Sequence, residues 1–414
     1  MLKFWHRLCN RYTTPQLFFM KLLYLFSALF FLNIAAPQNI QTLNKGKVVQ
    51  KDYNVSVPYN NVNGLIIVKV IIKGKTYNFI VDTGAMSAIS QELYNELGLK
   101  SEAGINVNDS SNLSQNMKLV TLPPVEAGNV TFKDIPAVVA DNSFLMQCLD
   151  IDGFIGSNMM RNSVVKFSYK DKTVSFTNKL KNFSTDKNKS AKLLKDKFQS
   201  NPHLWIGIKN NDAVGSETLL FDSGMVGLYD LSMLAYKSTF KNANIFSVLH
   251  QANGAYSLGL HGVEEKTEQL MLFVPELNFA GVILKNVTTT TTSDDRSRIG
   301  SEILKYGDVI VDYPKRQLYF NPFSEGPIDV AEKNWPVQPV FKEDKLVVGV
   351  VWDTAYIHRV NEGDEVLKFG EIDYSDIQPC DTFRLNMKPE TDTAVMVLKD
   401  IKTGEIKNVE LTKK

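Results

Sequence analysis

Short apolar or alternating runs, rich in Val, Ile and Phe and broken by Gly, Asn and Asp, recur along most of the chain. That rhythm predicts β-strands joined by tight turns, and hence a mostly β protein. LIIVKVIIKGKTYNFIVDTG, residues 65–84, predicts two strands folded about a Lys73-Gly74-Lys75 turn, and residues 205–224 predict a second such pair. Each pair ends in the same way, with an apolar run passing directly into an acid, a small hydroxyl residue and a glycine. The stretches are FIVDTGAMS at Phe79–Ser87 and LLFDSGMVG at Leu219–Gly227. Ser90 before QELYNEL and Ser232 before MLAYKS predict N-caps of short helices behind these turns.

A single Asp-Thr-Gly says little, because Asp and Gly are ordinary turn residues. A second block changes the weight of the pair: GSNMMRNSVVKFSYKDKTVSF from Gly156 aligns without a gap to GSEILKYGDVIVDYPKRQLYF from Gly300. The blocks are 300 − 156 = 144 residues apart, and the two acids 222 − 82 = 140. Two matched blocks at nearly one offset predict an internal repeat. The halves are expected at residues 39–185 and 186–328, with the lysine-rich stretch Leu180–Lys197 as a charged linker between them. A twofold relation between the halves would bring Asp82 and Asp222 face to face, where two carboxyls share a proton rather than both ionise. Such a pair can activate water against a carbonyl. Thr83 and Ser223 offer hydroxyls to bond across the axis, and Gly84 and Gly224 let the backbones approach.

This constellation resembles the pepsin and retropepsin aspartic proteases, specifically single-chain, two-lobed bacterial members. The resemblance covers about residues 50–325. It implies a bilobal acid-protease β-barrel fold, Asp82 and Asp222 as the catalytic dyad, and Thr83 and Ser223 as a crossed hydroxyl grip supported by Gly84 and Gly224. The family's apolar-apolar-Gly motif is matched by Phe154-Ile155-Gly156 and, imperfectly, by Arg298-Ile299-Gly300. Ala85 and Met225 stand where pepsins carry a hydroxyl that favours ionisation, which implies a working pH nearer neutral. Cleft-covering hairpins are expected at Ile105–Val120 and Ala255–Gly262. The implied substrate is an extended peptide, and a two-lobed chain completes its site as a monomer. The alternative is an aspartic-protease-like peptide-binding protein with an ineffective dyad, for which Met225 and Arg298 argue.

From about Trp335 the composition shifts to short Val-rich strands, and an Asn361-Glu362-Gly363-Asp364 turn leads into one of them. Residues 335–414 resemble a PDZ domain, which implies capture of a chain terminus by strand addition, with Leu346–Val351 as the groove strand.

Composition narrows the setting. The chain has 414 residues and a formal charge of +1. Lys3, Arg7, Arg11 and Lys21 lie in the first 36 residues, so loss of that segment leaves 1 − 4 = −3, and nothing points to nucleic acid. Lys21 followed by LLYLFSALFFLNIAA predicts a secretory leader over residues 1–38. The protein is therefore expected to be exported, periplasmic or extracellular, or membrane-anchored if the leader stays. Beyond it, Cys148 and Cys380 are widely separated and indicate two buried thiols rather than a disulfide framework. The five histidines lack metal-ligand spacing, and no G-x-S-x-G elbow or P-loop is present, so no metal or cofactor is expected.

Overall fold

Alternating strands and turn residues build one substructure twice. The computed structural model describes residues 42–414 except 109–112, 142, 255–257, 260–261, 264–265, 343–344, 376–377, 379 and 382–387. The expected leader lies outside the described residues.

In the first half Leu65–Ile72 pairs antiparallel with Lys75–Asp82. Lys73 at φ 51° and Gly74 at φ 82° form the two-residue turn, both left-handed, a geometry whose twist matches that of the strands. His203–Asn210 and Ala213–Asp222 repeat the arrangement, with Asn211 at φ 53° in the turn. Each second strand then gains a parallel neighbour from far along the chain. Gly153–Gly156 lies beside Lys75–Asp82 with Gly156 opposite Asp82, and Ser297–Gly300 lies beside Ala213–Asp222 with Gly300 opposite Asp222.

The halves meet in a common sheet in which Val164–Ser168 pairs antiparallel with Gly307–Asp312. Lys166 lies opposite Ile310, and 310 − 166 = 144, the spacing of the two repeated blocks. Val165 faces Val311 and Phe167 faces Val309, so repeat-equivalent positions pair reciprocally about a local twofold. The lysine-rich segment contributes Ser190–Lys192 as an edge strand against Gln317–Pro322. One apolar core runs through both halves, with Phe79, Phe167, Phe221 and Phe320 inaccessible to solvent. Phe167 and Phe221 meet edge to face at 5.6 Å. The ring next to Asp222 is thus locked against a strand of the first half, a contact contributing about 0.5–1.5 kcal/mol beyond burial.

Residues 335–414 carry a separate core around Trp335, Phe369, Met396 and Leu398 and a sheet of their own. The Asn361–Asp364 turn is fixed by the fully buried Asp364 carboxylate. It accepts from the Asn361 and Ile401 N–H groups and from Lys407 Nζ, at 2.8, 3.0 and 2.6 Å. The strand foreseen as a peptide groove is already engaged: Lys345–Val351 pairs with Val337–Lys342 along its length and meets Glu365 at Val347. Its second edge is met at Val347 and, through Gly363 and Asp364, at Val348. Val350 and Trp352 pack on Met271 of the second half.

Two expectations need correction. Cys148 and Cys380 are not free thiols but form a disulfide across 232 residues, with Cα atoms 4.6 Å apart. Separation along the chain carries no information about distance once the short Phe144–Leu149 helix and the C-terminal region are brought together. Ser90 caps the Gln91–Leu97 helix, accepting from Leu93 N at 3.1 Å. Ser232 makes no such cap bond, and its hydroxyl is buried without a partner.

Candidate active site

Both Asp turns sit where a strand from the barrel interior stops at the cleft between the halves. Past each acid the chain must reverse, and glycine is required there by close approach. A Cβ on Gly84 would lie 2.6 Å from the Asp222 carboxyl carbon, and one on Gly224 2.4 Å from Asp82 Oδ2. Each turn is thus fitted to the carboxyl of the other. The two carboxyls face each other closely enough for each to bear on the other's charge.

The hydroxyl residues lock this approach reciprocally. Thr83 Oγ1 donates to Phe221 O at 2.5 Å and accepts from Ser223 N at 2.9 Å. Ser223 Oγ donates to Val81 O at 2.7 Å and accepts from Thr83 N at 3.1 Å. All four groups are buried, so losing one partner would strand the other in a dry site.

The glycines of Phe154-Ile155-Gly156 and Arg298-Ile299-Gly300 lie directly behind the turns. Added Cβ atoms would meet Ser87 N and Gly227 O, each at 2.2 Å. Ser157 N donates to Ala85 O at 3.0 Å, and Ser301 N donates to Met225 O at 2.7 Å.

Symmetry ends at the carboxyls. Asp82 Oδ1 accepts from Gly84 N and Ala85 N, at 2.8 and 2.9 Å. Asp222 Oδ1 accepts from Gly224 N at 3.0 Å, whereas Met225 N turns to the backbone oxygen of Asp222. Desolvation raises the pKa of Asp82 well above the usual carboxylate range, the charge of Asp222 adds to this, and the two backbone N–H groups oppose it. Arg298 Nη1 lies 3.7 Å from Asp222 Oδ2 and 3.9 Å from Asp294 Oδ2. Burial disfavours its charge, but Asp222, Asp230, Asp294 and Asp82 more than compensate and raise its pKa. Tyr313 is buried beside Asp82 with an unpartnered hydroxyl, its pKa driven upward by burial and then by that acid's charge.

The cleft over the two acids has a volume of about 1170 Å³. Ile80, Ala88, Val138 and Phe154 make the first half's wall apolar, while Asp230, Asp294, Arg296 and Arg298 line the second half's. Asn106, Val107 and Asn108 of the Ala103–Asn108/Ser114–Thr121 hairpin reach the cleft, in the place foreseen for Ile105–Val120. The tip of that hairpin, 109–112, and most of Ala255–Gly262 lie outside the described residues. Trp335, Gln338, Lys388 and Pro389 of the C-terminal region also line the cleft, which no local sequence signal indicated. Among the described residues no group of three His, Cys, Asp or Glu side chains could hold a metal ion.

Residues 68–159 match the aspartyl protease family. The matched segment carries Asp82-Thr83-Gly84 and Phe154-Ile155-Gly156, one complete turn with its backing strand. Asp222 lies outside it and is tied to it by the repeat and the crossed hydrogen bonds. No curated protein matches the chain. The segment's similarity is to a protease family, and the mostly β architecture with its barrel-like sheets is compatible with that fold.

In the sequence Arg298 stands out only as an imperfect match to the apolar-apolar-Gly motif, and its place beside Asp222 is a finding of the structure. The signal was available: 298 − 144 = 154 makes Arg298 the repeat counterpart of Phe154, one residue before the position paired with the acid's own neighbour.

Proposed function

We propose that the protein is an aspartic endopeptidase in which Asp82 and Asp222 act as one shared-proton pair. The observation that carries this reading is the reciprocal seating of the two carboxyls, each against the other turn's glycine and both held by the Thr83/Ser223 grip. In the reaction, the ionised member of the pair takes a proton from a water whose oxygen bonds to the peptide carbonyl carbon. The protonated member donates a hydrogen bond to the developing oxyanion. When the tetrahedral intermediate collapses, the C–N bond breaks and the proton held by the pair passes to the leaving nitrogen. No covalent intermediate is formed.

An extended peptide is the natural occupant of a cleft flanked by the Ala103–Asn108 hairpin on one side and the Trp335 region on the other. The site draws both acids from one chain, which supports a monomer. The Cys148–Cys380 disulfide suits an oxidising compartment and supports export to the periplasm or beyond. The C-terminal region is read as PDZ-like on its Asn361–Asp364 turn and its Val-rich strands. Its contribution of residues to the cleft suggests that it helps hold substrate there.

A second reading, a peptide-binding protein with an ineffective dyad, is favoured by the cation at Arg298, which opposes equal sharing of the proton. One experiment separates the two. Purified protein is incubated with a diverse peptide mixture between pH 3 and 8, beside Asp82→Asn and Asp222→Asn, and cleavage is read by mass spectrometry. Proteolysis lost in both variants supports the peptidase. A folded, leader-free wild type that cuts nothing supports the binding protein.

A further inference from the structure

The pseudo-twofold predicts equal carboxyls, and the surroundings of Asp82 and Asp222 are unequal in one specific way. Arg298 is 8% exposed at its side chain and aims Nη1 at Asp222 Oδ2, 3.7 Å away. Its counterpart in the first half is Phe154, which pairs with Ile80 just as Arg298 pairs with Leu220. The strand behind Asp222 therefore carries a cation beside its acid, where the strand behind Asp82 carries a phenylalanine.

We propose that Arg298 is an electrostatic positioning residue that holds the pair's single negative charge on Asp222 and leaves the shared proton on Asp82. This rests on the peptidase reading and deepens it, because it makes Asp222 the base that accepts the proton of water and Asp82 the acid that supports the oxyanion.

The charges facing Arg298 agree with this assignment. Asp222 comes from the strand beside it, Asp230 from the segment after the second turn, Asp294 from the bend that precedes its own strand, and Asp82 from across the axis. Asp294 is already engaged by Arg296, whose Nε lies 3.4 Å from Asp294 Oδ1 and whose backbone N–H bonds the same atom at 3.0 Å. Besides its 3.9 Å approach to Asp294 Oδ2, Arg298 makes a long contact to Thr292 Oγ1 at 3.4 Å, and its Nε has no hydrogen-bond partner. It is thus buried by packing but lightly held, and the cleft acids dominate its field. Tyr313, the remaining titratable group beside Asp82, stays neutral and leaves the balance unchanged. Burial does not separate the two acids, since Asp222 is 7% exposed and Asp82 is no more buried, so the assignment rests on the guanidinium. Two backbone N–H groups on Asp82 oppose it, but a full cation at this distance in a desolvated site outweighs dipoles.

Arg298→Leu, which imitates the apolar counterpart, and Arg298→Lys, which keeps the charge, test the assignment. Two readouts are needed: the pH dependence of kcat/KM on a peptide cut by the wild type, and the titration of the pair followed by aspartate-selective 13C NMR without substrate. Losing the cation removes stabilisation of the anion, so both apparent pKa values of the pair rise in Arg298→Leu by about one unit or more. Arg298→Lys stays close to wild type, and thermal melts establish that both variants are folded. An unmoved titration in folded Arg298→Leu would overturn the assignment, as would an effect confined to KM for acidic peptides, which would make Arg298 a substrate contact. Because the NMR titration needs no turnover, a wild type that fails to cleave would sink the peptidase reading while the titration still decides the role of Arg298.

Discussion

The turns at Asp82 and Asp222 share a backbone register, a glycine approach and a crossed hydroxyl grip, but differ in what surrounds the acids. Asp82 lies under an apolar wall with two backbone donors on one oxygen. Asp222 has one such donor and a buried guanidinium. Behind the first turn, Ser157 Oγ lies within bonding distance of Ala85 O, Gln199 O and Asn201 Oδ1, while the equivalent Ser301 Oγ has no partner. The backbone symmetry brings the carboxyls together, and the side-chain asymmetry gives each a different electrostatic setting. A duplicated fold can thus retain its approach geometry while its halves diverge in electrostatics.

The sharpest way to break the approach is steric. A methyl group in Gly84→Ala would enter the Asp222 carboxyl, and Gly224→Ala would do the same to Asp82. Each should lower kcat/KM by about a hundredfold through misplacement of the pair, measured beside circular dichroism to confirm folding. Rates within twofold of wild type would mean that the two carboxyls need no close seating.

Cutting the grip tests whether it is reciprocal in energy as well as geometry. Thr83→Val and Ser223→Ala each remove two bonds across the axis, leaving one buried backbone donor and one carbonyl without that hydroxyl. We expect a loss of about 1–3 kcal/mol from each, with the double variant less damaging than the sum because the four bonds form one network. Urea unfolding checks this, and strict additivity would argue for two separate contacts.

Asp82 also has a signature in stability. Its pKa is raised in the folded protein, so between the ordinary carboxylate range and that raised value the native state binds more protons than the unfolded chain. Stability contributed by protonated Asp82 is complete at low pH and declines as pH rises through that window. Asp82→Asn should therefore raise Tm near neutrality and lose its advantage near pH 3. An equal Tm difference at both ends would place the cause elsewhere.

The smallest contrast lies in the helices behind the turns. Ser90→Ala removes a cap and should cost about 1 kcal/mol, whereas Ser232→Ala deletes a hydroxyl with no cap bond and should be nearly neutral. Equal losses in thermal melts would show that Ser232 contributes in another way.

Much of this was legible because it is local or repeated. The Lys73-Gly74 turn, the two Asp turns, the strands behind them and the pairing of the halves all leave marks at fixed spacing. What was hidden depends on long-range placement: the Cys148–Cys380 bond, the entry of Trp335 and Lys388 into the cleft, and the engagement of Lys345–Val351 by its neighbours. Ser232 misled because the same residue type before a helical segment is a cap only when its hydroxyl faces the helix N–H groups. Arg298 was visible in the alignment of the halves, but its meaning required knowing that this position faces the acids.

The most direct measurement compares kcat/KM on one peptide for wild type, Asp82→Asn, Asp222→Asn and the double variant. If the acids act as one pair, each single change should reduce the rate by roughly a thousandfold or more, and the double variant should be no worse than the singles. Losses that multiply, or either single variant retaining near-normal turnover, would contradict the shared dyad.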